Sequence, residues 1–229
     1  MGELIGVHKF LNRFKPEIDW EKKAKKKAKE KNVPIEDIKA EWEKKREMGI
    51  NIHKRIQKEL EGLEGVQSWE IDFKDSGGFY EGLPEKDEQL QNGIYLERPC
   101  FSHKQGLIGF PDKIEVKNNT INIEDYKTFT KLYRTSQSIR FGGKVLKDSY
   151  SHPVAYLDSC NYIDTCLQLS LYMYMLWENN RTLKVGRLYL THIVIDDNEK
   201  IISRNKEEVP YMREEVRKLL DFKRQDYDS

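Results

Sequence analysis

The sequence predicts an α/β sandwich around a central mixed sheet. Three observations carry this. Over 120–127, Ile121 and Ile123 alternate with Asn122 and Glu124, the period of a strand. Over 157–178, Tyr162, Cys166, Leu169, Tyr172, Met173 and Leu176 recur at spacings near three and four, the period of a helix. Segments of both kinds succeed one another in the order helix, strand, hairpin, helix, strand, helix.

Taken in order, residues 5–15 read as a short element ended near Pro16. Residues 19–32 read as a basic helix that Asp19 can cap, with Glu21 and Lys25 one turn apart. Asn32-Val33-Pro34 interrupts it. Pro34 and Ile35 lead into a second helix, with Glu36 and Asp37 near its positive end, running to Glu61-Gly62. Gly49 lies inside that helix, where a glycine costs about 1 kcal/mol relative to alanine. It either permits close approach of another backbone or divides the helix.

Residues 66–73 read as a strand, 74–93 as a surface loop and 94–97 as a strand again. The runs 106–116 and 120–127 read as two strands joined by the turn Lys117-Asn118-Asn119-Thr120, with a bulge at Pro111. Residues 128–155 read mostly as connection centred on Gly142-Gly143, which is long for a structureless loop. A strand at 185–195, a turn at Asp196-Asp197-Asn198, a short strand at 200–203 and a helix at 207–223 complete the chain. The organisation expected is a helical N-terminal region, 1–48, packed on a core of 49–229.

Charge is balanced overall: 40 basic and 39 acidic residues in 229 give a net +1, so charge alone neither favours nor excludes nucleic acid. Its distribution is more informative. Residues 1–61 carry 17 Lys/Arg against 12 Asp/Glu, 62–127 carry 7 against 13, and 128–150 carry 5 against 1. A basic arm, an acidic middle and a basic loop suit a carboxylate site with phosphate-binding flanks. Solvated Lys/Glu helices are the plainer explanation. Cys100, Cys160 and Cys166 are too few for an all-cysteine cluster site and odd in number, so buried thiols in a reducing compartment are expected. No signal peptide is apparent, and the densest apolar run, 166–177, is too short to span a bilayer. An intracellular protein without membrane association is the expectation.

The chemistry concentrates at Gly109-Phe110-Pro111-Asp112 and Asp125-Tyr126-Lys127. A hairpin returns the second run beside the first and brings Asp112 near Asp125. Strand parity puts Asp125 and Lys127 on one face and Glu124 on the other. Two carboxylates in proximity call for a cation, a shared proton or a nearby base. Mg2+ or Mn2+ takes such oxygen ligands together with waters and phosphates, and an adjacent ammonium can hold a water or offset transition-state charge. An Asp-x-Lys triplet by itself is weak, since an exposed ion pair on a surface strand has the same pattern.

At these residues the chain resembles the PD-(D/E)xK nuclease superfamily, and especially its RecB-like branch. That branch also includes the mitochondrial genome-maintenance exonuclease and the CRISPR-associated adaptation nucleases. The resemblance rests on four ordered segments: Gly49-Ile50-Asn51-Ile52-His53, similar to a Gly-x-x-x-His helix motif; Gly109-Phe110-Pro111-Asp112; Asp125-Tyr126-Lys127; and Gln168-Leu169-Ser170-Leu171-Tyr172, similar to the Gln-x-x-x-Tyr motif.

The resemblance implies a restriction-endonuclease-like core with an added helical N-terminus, and a DNA nuclease, preferentially an exonuclease acting on ends, with a structure-specific or nonspecific DNA endonuclease, or a noncatalytic nucleic-acid-binding module, as the alternatives. It implies that His53, Asp112, Asp125 and the Tyr126 carbonyl hold Mg2+ or Mn2+, with Glu97 a further candidate. Lys127 assists the water. Gln168 and Tyr172 brace the site or contact DNA. His53 and Tyr172 could equally be packed helix residues, and Glu97 could face solvent. Basic residues Arg134, Arg140 and Lys144, near Tyr133 and Phe141, are candidate DNA contacts, with an ordinary solvated loop as the alternative.

The cysteine pattern departs from the cluster-bearing relatives, so no iron–sulfur cluster is expected. No Gly-rich phosphate loop is visible, so no ATP use is expected. The partners implied are DNA, single-stranded or with ends, and a separate helicase or recombination protein. A compact stand-alone enzyme of this kind also suits viral genome processing, which would place it in the host cytoplasm.

Overall fold

A computed structural model describes residues 4–69, 89–136, 138–141 and 144–227. The chain begins with β1 (Ile5–Gly6), α1 (Val7–Asn12), α2 (Trp20–Lys31) and α3 (Ile35–Glu61). Asp19 caps α2 by accepting a hydrogen bond from Lys22 N at 2.8 Å, as its residue type suggests, an arrangement worth about 1 kcal/mol. Asn32 ends α2 in the left-handed conformation that asparagine tolerates.

Gly49 does not divide α3, which is continuous over 27 residues. The glycine instead admits a side chain: a Cβ there would stand 3.0 Å from Thr128 Oγ1, the residue after Lys127.

Six strands form the main sheet in the order β11-β10-β7-β6-β3-β2. They are β2 (Val66–Ser68), β3 (Gly93–Leu96), β6 (Lys113–Lys117), β7 (Thr120–Lys127), β10 (Lys184–Ile195) and β11 (Ile201–Val209). The sheet is mixed: β7 pairs antiparallel with β6 and parallel with β10. The β6–β7 turn has Asn118 and Asn119 both at positive φ, the two-residue turn whose twist matches paired strands.

A second sheet joins β1, β5 (Leu107–Gly109) and β4 (Cys100–Ser102), with β1 parallel to β5. The expected single strand over 106–116 is therefore two strands in two sheets, and Phe110-Pro111-Asp112 is where the chain crosses between them. Proline lacks the N–H that a continuous ladder needs, so pairing stops there.

Helices cover both faces of the main sheet. On one, Ile52 and Ile56 of α3 pack on Tyr126 and Ile193. On the other, α4 (Asn161–Asn179) lies over Ile114, Ile121, Ile123, Leu188 and Leu190, with α1 and α5 (Arg213–Tyr227) packed beside it. Burying one such isoleucine or leucine contributes about 1.5–3 kcal/mol. Val7, Phe10, Leu11 and Phe14 belong to this second core, so the N-terminal segment is partly interior. By contrast α2 buries only Ala24 and Ala28, against Ile38, Ile35 and Trp42 of α3.

Residues 128–155 are not only connection. β8 (Ser138–Phe141) and β9 (Lys144–Lys147) form a hairpin around Gly142-Gly143, a pair that itself lies outside the described residues. Most of the expected 74–93 loop also lies outside them. β11 runs to Val209 rather than 203, and the last helix starts at Arg213 rather than 207, because 204–209 completes the ladder with β10. The three cysteines are buried and free. Among the described residues no helix is long and apolar enough to cross a membrane.

Candidate metal centre

Asp112 stands at the crossover between the two sheets, immediately before β6. The β6–β7 register ends at Lys113 and Glu124, so Asp112 and Asp125 are the next residue beyond that pair on each side. Asp112 is held from two sides. Its Oδ1 lies 3.0 Å from His53 Nδ1 on α3, and its Oδ2 accepts the Tyr126 backbone N–H at 2.5 Å. Burial pushes the Asp112 carboxyl up, but His53, Lys127 and the Tyr126 N–H outweigh it and hold it below the usual range. Burial likewise disfavours the His53 imidazolium, and Asp112 more than compensates, raising its pKa.

Glu97 enters from the end of β3. It adopts φ +53°, the left-handed region that a residue with a Cβ rarely occupies, and its N–H donates to the Asp112 carbonyl at 3.2 Å. Strain of this kind persists where the surroundings impose it. Here it delivers a carboxyl to the acidic cluster. Desolvation and the charge of Asp112 push Glu97 up to about 9, so without a cation it is protonated at neutral pH. The ligand atoms of His53, Glu97 and Asp112 lie within 4.8 Å of one another.

Asp125 is 2 % exposed and projects from the same strand face as Ile121 and Ile123, together with Lys127. Lys127 Nζ lies 2.6 Å from Asp125 Oδ2, yet that oxygen receives no well-directed hydrogen bond. Burial and the Asp112 charge move the Asp125 carboxyl up to about 6, against the pull of Lys127. Lys127 is itself held charged, since Asp125 and Asp112 offset the effect of its burial.

The imidazole of His53 and the carboxyls of Glu97 and Asp112 make a donor set suited to a divalent cation, and Asp125, which is not part of that three-residue group, adds a buried oxygen lacking a directed donor nearby. Carboxylate oxygens suit Mg2+ and Mn2+, and imidazole favours the transition metal.

Gln168 and Tyr172 lie one turn apart on α4, where Gln168 Nε2 donates to the Tyr172 hydroxyl at 2.7 Å. Each is 3 % exposed, so both side chains are interior. The Tyr172 ring occupies the space a side chain at residue 109 would need: a Cβ on Gly109 would fall 2.2 Å from Tyr172 Cε1. Tyr172 therefore packs directly against Gly109, the first residue of Gly109-Phe110-Pro111-Asp112.

Of the basic candidates, Arg134 is the one whose side chain is described. Arg134 pairs with Glu207 at 2.5 Å and lies over the Tyr162 ring. Arg140 and Lys144 fall on β8 and β9, and their side chains lie outside the described residues. No sequence signal marks His8. It sits on α1, where desolvation and the charges of Lys127 and Lys15 bring its pKa down to about 4, leaving a neutral imidazole on the N-terminal side of the cluster. Its helix follows a two-residue strand too short to show a period.

A family model described as the PD-(D/E)XK nuclease superfamily matches residues 7–227. A solved structure described as the crystal structure of SSO0001 covers 100 % of this chain and 79 % of its own at 13 % identity, with a TM-score of 0.38. No curated protein matches the sequence.

Proposed function

Because the chain belongs to the PD-(D/E)XK nuclease superfamily and has its restriction-endonuclease-like α/β fold, we propose that it is a Mg2+- or Mn2+-dependent deoxyribonuclease. The mode favoured is exonucleolytic attack on DNA ends, in the manner of the RecB-like branch. The observation that carries the reading is the gathering of the ligand atoms of His53, Glu97 and Asp112 within 4.8 Å of one another.

In this reading His53, Asp112, Asp125, Glu97 and the Tyr126 carbonyl hold the cation. When bound, the cation lowers the pKa of a water and stabilises charge on a phosphoryl oxygen. The chain's own groups do the rest. Lys127, kept protonated by Asp125 and Asp112, donates hydrogen bonds to the attacking water and offsets charge on the phosphoryl oxygens. Tyr126 N–H fixes the Asp112 carboxylate in one orientation. Gln168 and Tyr172 hold the crossover segment in place from below, and Arg134, Arg140 and Lys144 contact the DNA backbone. Glu97, which holds a proton at neutral pH without a cation, would have to release it to serve as a ligand.

The partners proposed are DNA, single-stranded or with ends, and a helicase or recombination protein supplied separately. The setting proposed is intracellular, in replication, recombination or repair, including viral genome processing.

Purified protein is incubated with Mn2+ or Mg2+ and with end-labelled linear and closed circular DNA. Shortening of the linear DNA with the circles intact is expected. Cut circles would replace the exonuclease with an endonuclease on the same centre, and intact DNA of every form would overturn the nuclease reading.

A further inference from the structure

Trp20 is 57 % exposed, an unusual position for the side chain with the largest apolar area. It meets Trp42 of α3 edge to face, centroids 5.8 Å apart and planes at 74°. Lys23 Nζ lies 5.0 Å over the Trp20 ring and Lys27 Nζ 5.7 Å over the Trp42 ring. Two rings and two ammoniums thus share one face of the α2–α3 hairpin.

The excess of positive charge lies on α2, whereas on α3 Glu41 and Glu43 flank Trp42 and are paired with Lys31, Lys45 and Arg46. α2 carries seven lysines and two glutamates. Lys25, Lys26 and Lys31 have carboxylate partners, all exposed and therefore weak. Among the described residues no carboxylate lies within ion-pair distance of Lys22, Lys23, Lys27 or Lys29.

α3 relates this face to the acidic cluster. Trp42, Arg46, Gly49 and His53 are spaced by four, three and four residues, so they fall on one stripe of an unbroken helix. Eleven residues make about three full turns, which returns Trp42 to within about 20° of the direction of His53 and about 16 Å away along the axis. That span is roughly five stacked base steps of 3.4 Å. The same side of α3 packs on α2 through Ile38 and on the sheet through Ile52 and Ile56.

We propose that the Trp20–Trp42 face, flanked by Lys23 and Lys27, binds an unpaired stretch of the same DNA strand whose backbone lies at the acidic cluster. The phosphates answer the uncompensated lysines, and an open base face stacks on Trp20, which a paired duplex could not offer. The inference rests on the nuclease reading for the identity of the strand.

The test is fluorescence anisotropy of a labelled 15-nucleotide oligothymidylate with the full chain in EDTA, so that no cleavage occurs. Trp20→Ala and the double variant Lys23→Ala/Lys27→Ala are compared with wild type after circular dichroism and melting have shown them folded. Each is expected to weaken binding about tenfold. The double variant also flattens the slope of log K against log salt by about 1.4. Trp20→Ala leaves affinity for a blunt duplex of equal length unchanged, and an equal loss on duplex would overturn the single-strand assignment. Should Trp20→Ala fail to fold, the exposed lysine pair still decides the matter.

Weakened binding by the variants of an enzyme that cuts nothing would keep this surface and remove the nuclease reading. Variants that bind like wild type, in an enzyme that does cut, would remove the surface alone.

Discussion

Glu124 and Asp125 are neighbours on one strand, both largely buried, and they meet opposite fates. Glu124 has every need met. Thr191 Oγ1 donates to it at 2.7 Å, Lys206 Nζ lies at 2.7 Å and Lys113 Nζ at 3.5 Å. Burial pushes its carboxyl up, but the Lys206 and Thr191 hydrogen bonds and the Lys113 charge prevail and hold it below the ordinary value. Asp125 has one ammonium, a second carboxylate nearby and an oxygen without a directed donor, and its carboxyl rises to about 6. Partner supply, more than depth, separates a structural carboxylate from one left wanting a cation. The pleat performs the separation, because adjacent side chains leave a strand on opposite faces.

Four measurements break or sharpen that contrast. The largest effect expected is on turnover: Asp125→Asn lowers DNA cleavage at least about a thousandfold, whereas Glu124→Gln stays within about tenfold of wild type. Single-turnover degradation of labelled DNA reads both, and comparable losses would erase the distinction. Next, Mn2+ at a hundredfold over its Kd should add about 2.7 kcal/mol of stability. Thermal melts with and without Mn2+ should show that gain in wild type and Glu124→Gln, and lose it in Asp125→Asn and His53→Ala.

Third, Glu124→Gln removes a charge-assisted partner from Lys206 and Thr191 and should lower stability by about 1–2 kcal/mol in urea unfolding. An unchanged midpoint would mean that the ion pairs on that face contribute nothing.

The smallest effect is the pH dependence of metal-free stability, and its sign differs between the two residues. A folded-state pKa above the ordinary 3.8 means that the native state binds the proton more tightly. The Asp125 contribution therefore falls as pH rises from about 3.8 through about 6. For Glu124 the folded value is depressed below 4.5, so its contribution is present above 4.5 and is lost as pH falls through the folded value. Asp125→Asn should flatten the first slope and Glu124→Gln the second, in unfolding curves from pH 3 to 7.

The features legible in the sequence were those set by local rules. Parity alone put Asp125 with Lys127 and turned Glu124 away. Two asparagines marked the β6–β7 turn, and Asp19 marked the start of α2. What escaped depends on distant partners. β1 is two residues long, and only its pairing with Leu107–Gly109 makes it a strand. Pro111 signals a broken ladder but not that the chain moves to another sheet. The polar run 204–208 resembles the start of a helix, yet on an edge strand its outward groups remain solvated while its backbone pairs with β10. Length marked 128–155 as too long for a structureless loop, but the β8–β9 pairing that occupies part of it was not read from the residues. The left-handed backbone at Glu97 leaves no trace in residue type, and the hydrogen bond that accompanies it goes to the carbonyl of Asp112, fifteen positions away.

The parallel pairing of Ile5–Gly6 with Leu107–Ile108 has a consequence for the order in which the molecule is assembled during synthesis. The earliest of these residues leave the ribosome about a hundred positions before their partners, and the Tyr172 ring that seats Gly109 emerges later still. A nascent chain therefore holds His53 and Asp112 long before anything fixes the segment between the sheets. The segment that carries Asp112 thus meets the Tyr172 ring only after α4 has been made, roughly sixty positions after Asp112 itself.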